Sequence, residues 1–321
     1  MAQSCRVGGC GYQIDEDRLD LRTNRQPGLR RNGPFWLTFS AMLFAVMAVS
    51  VRLAGKHGVP GAETTFVRFV FGLLAVGMLH GTGTMPVRLH RLPLLAARGI
   101  LGGIAILLYF ASLSAAKGPG GTSLTSSVFL GNSYFLYLPL LGMLLIHERL
   151  RVGTVAMVVL AVVGLYLIVN PHFGHVRAGD VYGFFAGFMS ATAMVVIREL
   201  RKTEPAITVF FSLCVFGALC ALITMFFQRP VWPDAYGWLL LLIMGISATA
   251  GQLAMTYGMG FIRVGEAGIL QMSTVVYSSL VGIIWLADAF SPRILLGAIL
   301  VLASAAYISY TESRSIAEPC P

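Results

Sequence analysis

The stretch LLGMLLIHERLRVG, Leu140 to Gly153, ends an apolar run on His147, Glu148, Arg149 and Arg151. A fainter echo, LVGIIWLADAFSPR, Leu280 to Arg293, puts Asp288 at the end of a second run, 140 residues beyond Glu148. At the same offset Ser133 meets Ser273, Tyr137 meets Tyr277 and Gly142 meets Gly282. An acid at the end of an apolar run, repeated with its neighbours, reads as one unit used twice.

The surroundings say what kind of unit. The chain has 321 residues, 56% hydrophobic and 12% charged, with a mean hydropathy of +0.77. A soluble domain carries about a quarter charged residues, so this composition implies an integral membrane protein. The net charge of +9 does not indicate nucleic acid, because the basic residues lie between apolar runs and form no patch. The five cysteines show no metal-binding spacing and their number is odd, which reads as free thiols.

A spanning helix needs about 20 mostly apolar residues. Ten candidates meet this: 35–54, 64–81, 94–115, 123–146, 152–169, 181–198, 207–227, 236–258, 265–287 and 293–311. Segments such as KGPGG, NPHFGHVRAGD and QRPVWPD separate them. Residues 1–33 read as a disordered cytoplasmic tail with no signal-peptide core before Phe35, and 313–321 as a second cytoplasmic tail. With the N-terminus inside, sixteen basic residues fall on the inner side and six on the outer, counting Arg98 as an inner charge beside Arg88 and Arg91. This predicts both termini in the cytoplasm of a cell that carries the protein in its inner or plasma membrane. The fourth span overlays the ninth at the 140-residue offset, so the expected plan is two five-helix halves, 34–171 and 180–312. Five is odd, so the halves cross in opposite senses, the inverted repeat of secondary transporters.

Three stretches carry a resemblance: VRFVFGLL in the second span, GTSLTSSVFLGNSYFLYLPLLGMLLIHERLRVGTVAMVVLAVVGLYLIV closing the first half, and GQLAMTYGMGFIRVGEAGILQMSTVVYSSLVGIIWLADAFSPRILLGAILVLASAA closing the second. Over about residues 34–312 the chain resembles the drug/metabolite transporter superfamily, EamA type. The resemblance implies ten helices, a central cavity between spans 1–4 and 6–9, and peripheral spans 5 and 10. The chain departs from the usual pattern in three places: Asp288 stands where Glu is common, Phe135 and Val275 stand where Pro is often found, and the seventh span offers no partner for Arg68.

At 100° per residue, Ser126, Ser133, Tyr134, Tyr137 and Glu148 fall within an arc of about 100° on the fourth span, with Asn132 pointing elsewhere. Ser273, Thr274, Tyr277 and Asp288 cluster likewise on the ninth. A polar stripe avoids lipid, so it lines a cavity or its hydroxyls bond back to their own helices. Tyr109, Gln252 and Tyr257 are further cavity candidates, beside Ser112, Ser190, Thr192, Ser247 and Thr249. Tyr137 and Tyr277 mark the expected centre. Arg68 is expected to pair with Asp288 or Glu63, to receive an anionic group of the substrate, or to snorkel to the headgroups. Glu148 and Asp288, at opposite faces, suit gating or helix-end anchoring. Rows of small residues (Gly183, Gly187, Ala191; Ala250, Ala254, Gly258) allow close packing, and Pro139 predicts a kink.

These readings predict a secondary transporter working by alternating access, an exporter or exchanger of amino-acid-like or nucleoside-like compounds. No Walker lysine motif is present, and His147–Glu148 lacks the second His of a zinc helix. No cofactor, metal or catalytic group is expected. The rival is a membrane-embedded enzyme acting on a lipid or small solute. The expected partners are a small-molecule substrate and the bilayer, without nucleic acid; a homodimer stays open.

Overall fold

The structure is a computed structural model that describes residues 32–81, 90–114, 131–146, 152–169, 178–227, 231–286 and 292–317. The N-terminal tail, Ser126, Glu148 and Asp288 lie outside the described residues. Among the described residues all regular structure is helical: α1 (Gly33–Lys56), α2 (Gly61–Gly81), α3 (Leu92–Ser114), α4 (Tyr134–Ile146), α5 (Val152–Val169), α6 (Ala178–Leu200), α7 (Ala206–Phe226), α8 (Ala235–Gly258), α9 (Val264–Gln271), α10 (Ser273–Leu286) and α11 (Pro292–Ala317).

Local chemistry sets many of these boundaries. Asn32 caps α1, its side chain accepting from Phe35 N, with Pro34 in the first turn where a missing N–H costs nothing. Gly58 leaves α1 at φ +91°, a conformation only glycine adopts cheaply, and Pro60 precedes α2. Asp234 caps α8 by accepting from Gly237 N at 2.8 Å. Helix α11 continues past the expected end at 311 to Ala317.

Among the described residues six helices are long and apolar enough to cross a membrane: α1, α2, α3, α6, α7 and α8. At the other expected positions stand shorter apolar helices. Two of them cover Val152–Leu167 and Leu295–Thr311, and the expected ninth span is the broken pair α9–α10. The exterior agrees with lipid. On α7, Leu219, Leu222, Ile223 and Phe226 are all at least half exposed, one stripe at helical spacing that would aggregate in water. Trp232, Tyr236 and Trp238 stand exposed near the start of α8, where an interfacial belt would lie.

Turns stand at matching places in the two halves. Met272 interrupts α9–α10, and a turn at Asn132–Ser133 precedes α4, so Asn132 matches Met272 at the 140-residue offset. The packing has the same order. The most extensive pairs are α1 with α8 and α3 with α6; α5 with α11; α3 with α7 and α2 with α8; α2 with α7; and α1 with α10 and α4 with α6. Exchange α1 for α6, α2 for α7, α3 for α8, α4 for α9–α10 and α5 for α11. Each pair then becomes another of the set or itself.

The α3–α7 crossing depends on glycine. A Cβ at Gly103 would lie 2.7 Å from the Gly217 Cα, and one at Gly99 would lie 2.6 Å from the Ser212 carbonyl oxygen. Backbone cannot move aside as a side chain tip can. Gly103→Ala is therefore expected to overpack the crossing by about 1–3 kcal/mol, against a helix-propensity gain of ~1 kcal/mol. A thermal melt of the purified protein in detergent checks this: the variant melts lower, and an unchanged midpoint contradicts so close a crossing.

One group of polar links between helices lies at the end of the bundle where α1 starts. Glu204, 2% exposed, accepts from His90 N at 2.8 Å and Arg91 N at 3.0 Å, tying the α6–α7 turn to the start of α3. Arg91 also pairs with Glu199 at 3.3 Å. Arg198 donates to the carbonyls of Met259 (3.2 Å) and Gly260 (2.7 Å), joining α6 to the end of α8. Thr154 donates to Glu266 at 3.3 Å, joining α5 to α9.

Candidate functional site

Inside the bundle, α1, α2, α3, α4, α6, α8 and α10 enclose a cavity of about 120 Å³. Its wall comprises Phe44 and Met47 of α1, Arg68 of α2, and Arg98, Gly102, Ala105, Ile106 and Tyr109 of α3. Gly131, Asn132 and Tyr134 follow, then Ser190, Ala193 and Met194 of α6, Gln252 and Met255 of α8, and Thr274 of α10. Both chain halves contribute, and both turns lie beside it: Asn132 and Thr274 enter the wall at or next to them.

Two arginines dominate the electrostatics. Arg68 is 6% exposed. Its Nη2 donates to Gln252 Oε1 at 3.1 Å, a bond between the two halves, and its Nη1 lies 3.1 Å from Met47 Sδ. The guanidinium lies over the Phe44 and Phe110 rings, 5.9 and 5.7 Å from their centroids, a geometry that attracts a cation to the ring faces. Arg68 begins two turns into α2, deeper than the sequence suggested, and does not snorkel. Its expected partner Glu63 instead accepts from Val231 N at 3.1 Å; Asp288 lies outside the described residues.

Arg98 is 3% exposed, on α3, and its Nε has no hydrogen-bond partner. The sequence reading counted it as a loop charge; it is a cavity residue. Gly102, one turn later, makes this possible, since a Cβ there would collide with Arg98 Nη1. The signal was present: an arginine inside an apolar run, followed at i+4 by glycine.

Of the residues singled out from sequence, Tyr109, Tyr134, Gln252 and Thr274 line the cavity. Tyr109 shares a hydrogen bond with Asn132, and its ring lies where a Cβ on Gly131 would be. Ser133, Tyr137, Tyr257, Ser273 and Tyr277 stand apart from the wall. Tyr137 packs edge-on against Phe184 and Phe188, centroids 6.1 and 5.7 Å away. Tyr257 belongs to an aromatic group with Trp36 and Phe261 at the end where α1 starts. Tyr277 is half-buried on α10, and Ser133 and Ser273 are buried beside the turns. Asn132, expected to point elsewhere, is in the wall. Of the weaker candidates, Ser190 joins the wall, whereas Thr192 and Ser247 donate back to carbonyls of their own helices.

Lipid-facing helices around a small interior cavity, given positive charge by Arg68 and Arg98, define a multi-pass membrane protein with an internal chamber. The chain belongs to the EamA-like transporter family, of the drug/metabolite transporter superfamily: the family matches residues 31–170 and again residues 177–310. Relatives support the assignment along nearly the whole chain. It is 24% identical to an uncharacterized transporter of Helicobacter pylori, over 86% of this chain and 94% of that protein. It is 21% identical to the pseudopaline exporter CntI of Pseudomonas aeruginosa, over 88% and 98%. It is 24% identical to human solute carrier family 35 member G1, over 87% and 78%. A solved crystal structure shares the fold, with a TM-score of 0.69 and 21% identity over 88% of this chain and 99% of that one. Relatives whose names state a role are transporters rather than enzymes.

Proposed function

We propose that this protein is a secondary transporter whose ten spans form two inverted five-helix repeats and whose central cavity opens to each side of the membrane in turn. The carrying observation is the exchange order of the helix packing: swapping the two halves reproduces the main contacts, and the cavity lies where the halves meet. The doubled family match and the paired turns support the same plan. Two halves related this way can rock into mirror-image states, the usual basis of alternating access. The polar links around Glu204 and Arg198 then hold one side shut. We take that side as cytoplasmic, because the basic residues flanking the spans gather there, and the membrane as the plasma membrane. Export of a small metabolite fits the relative named as an exporter.

Access to the cavity tests this. Ser190→Cys in a cysteine-free background places a single thiol in the wall. A membrane-impermeant thiol reagent is expected to reach it from both faces of oriented vesicles. Labelling from one face only, whatever solute is present, contradicts alternating access.

A further inference from the structure

We infer that the substrate carries an oxyanion, a carboxylate or phosphate, and that Arg98 with Arg68 and Gln252 receives it; this rests on the transporter reading above. The fully buried side-chain atoms of the wall that have no partner among the described residues are both donors. Arg98 is buried with its Nε–H unpartnered. Gln252 is 4% exposed, and its Nε2 amide also has no partner. The orientation of that amide follows from Arg68, which can only donate and therefore faces the Gln252 oxygen. Two guanidinium charges and a free amide donor thus converge on one small chamber.

No described carboxylate answers them. Glu63 is bonded to Val231 N, and Glu199 pairs with Arg91 and Lys202. Glu204 accepts from His90 and Arg91, Asp234 caps α8, and Glu266 accepts from Thr154. None of these acids is in the cavity wall.

An uncompensated buried charge is strongly unfavourable, and charged groups inside membrane proteins are paired or serve a pathway. Arg68 is partly compensated by Gln252 and two aromatic faces. Among the described residues no acid or amide does the same for Arg98, and Gly102 keeps the space around its head clear. A fold that only needed to be stable would have an apolar residue at position 98. An anion that brings its own charge supplies what is missing, and a guanidinium fork matches two oxygens of a carboxylate or phosphate. The chamber's volume is below the ~300–1,000 Å³ of drug-sized ligand sites, so it suits a small acid or the anionic head of a longer one.

Thermal melts of the purified full chain test the inference. The probes are inorganic phosphate, glycerol 3-phosphate and succinate, each against chloride at equal ionic strength. Glycerol, succinamide and putrescine serve as neutral and cationic counterparts. An anion is expected to raise the midpoint by about 5 °C at millimolar concentration, and the neutral and cationic probes to leave it unchanged. A shift with succinate alone assigns a carboxylate; one with the phosphates alone assigns a phosphate ester.

Arg98→Gln is expected to melt at the same temperature as the parent or higher, while its apparent affinity for the anion falls about 10- to 100-fold. A residue that merely held the fold would lower the midpoint instead. Equal shifts from the neutral probes, no shift from any anion, or an unchanged anion response in Arg98→Gln overturns the inference. The two readings fail separately. Exchange of a neutral or cationic solute without anion binding keeps the transporter and removes the anion. Anion binding at Arg98 without movement across a vesicle does the reverse.

Discussion

Arg68→Gln is expected to reduce transport by about 10- to 100-fold at equal expression, the loss that follows removal of a hydrogen bond to a charged group. The physical reason is that this side chain performs three tasks at one point. It supplies charge to the cavity, its Nη2 bonds Gln252 across the two halves, and its plane rests between Phe44 and Phe110. Gln keeps some length and polarity but loses the charge and the fork. Arg68→Lys restores the charge as a compact ammonium that cannot reproduce the planar fork between the rings, so it recovers only part of the rate. The stability of the two variants separates site from scaffold. Losing the guanidinium leaves the Gln252 oxygen unsatisfied, a cost of about 1–3 kcal/mol, offset by removal of a buried charge. Both proteins should therefore fold, and parental transport by both at equal expression leaves this guanidinium no functional role.

Glu204→Ala is expected to be the most destabilising of the substitutions considered, because two amides lose one acceptor at about 1–3 kcal/mol each. The carboxylate side chain is completely buried, and one of its oxygens receives two backbone amides that precede α3. Those amides fix the chain entering α3. Alanine removes their acceptor and leaves two part-buried donors without it. Glu204→Gln keeps a carbonyl oxygen at the same distance and should recover part of the loss. Melting midpoints and detergent-stable yield read the order parent, Gln, Ala. An alanine variant as stable as the parent would show that the α6–α7 turn is held to α3 by other contacts. If the link also holds one side of the cavity shut, Glu204→Gln should label faster at a cysteine in place of Ser190 from that side.

Much of the fold was legible from apolar run lengths, because lipid forces the backbone to satisfy itself within helices. The 140-residue echo pointed to the two halves, and the packing order and the paired turns follow the same correspondence. The site was legible only in part. The polar stripe was projected from a continuous helix at 100° per residue. The turn at Asn132–Ser133 interrupts that projection: Asn132, inside the turn, enters the wall with Tyr134, while Tyr137, three residues further along α4, packs against Phe184 and Phe188. On α10 Thr274 enters the wall and Tyr277, three residues on, does not. Nothing in GNSYF or QMST announces a turn by composition alone. Arg98 was hidden by a different rule: charges near span ends are counted as orientation signals, and one lying only seven residues into α3 looks like a loop charge. Its glycine at i+4 was the clue that it turns inward.

Counterflow in proteoliposomes tests the central claim most directly. Vesicles are loaded with a panel of carboxylates, phosphate esters, amino acids, sugars and amines, and uptake of the labelled counterpart is followed without any imposed ion gradient or ATP. A carrier whose cavity faces one side at a time gives saturable uptake that is accelerated by the same solute inside, for an anionic member of the panel, and Arg68→Gln slows it. Flux that rises in proportion to concentration, indifferent to internal solute and to Arg68, would contradict the account.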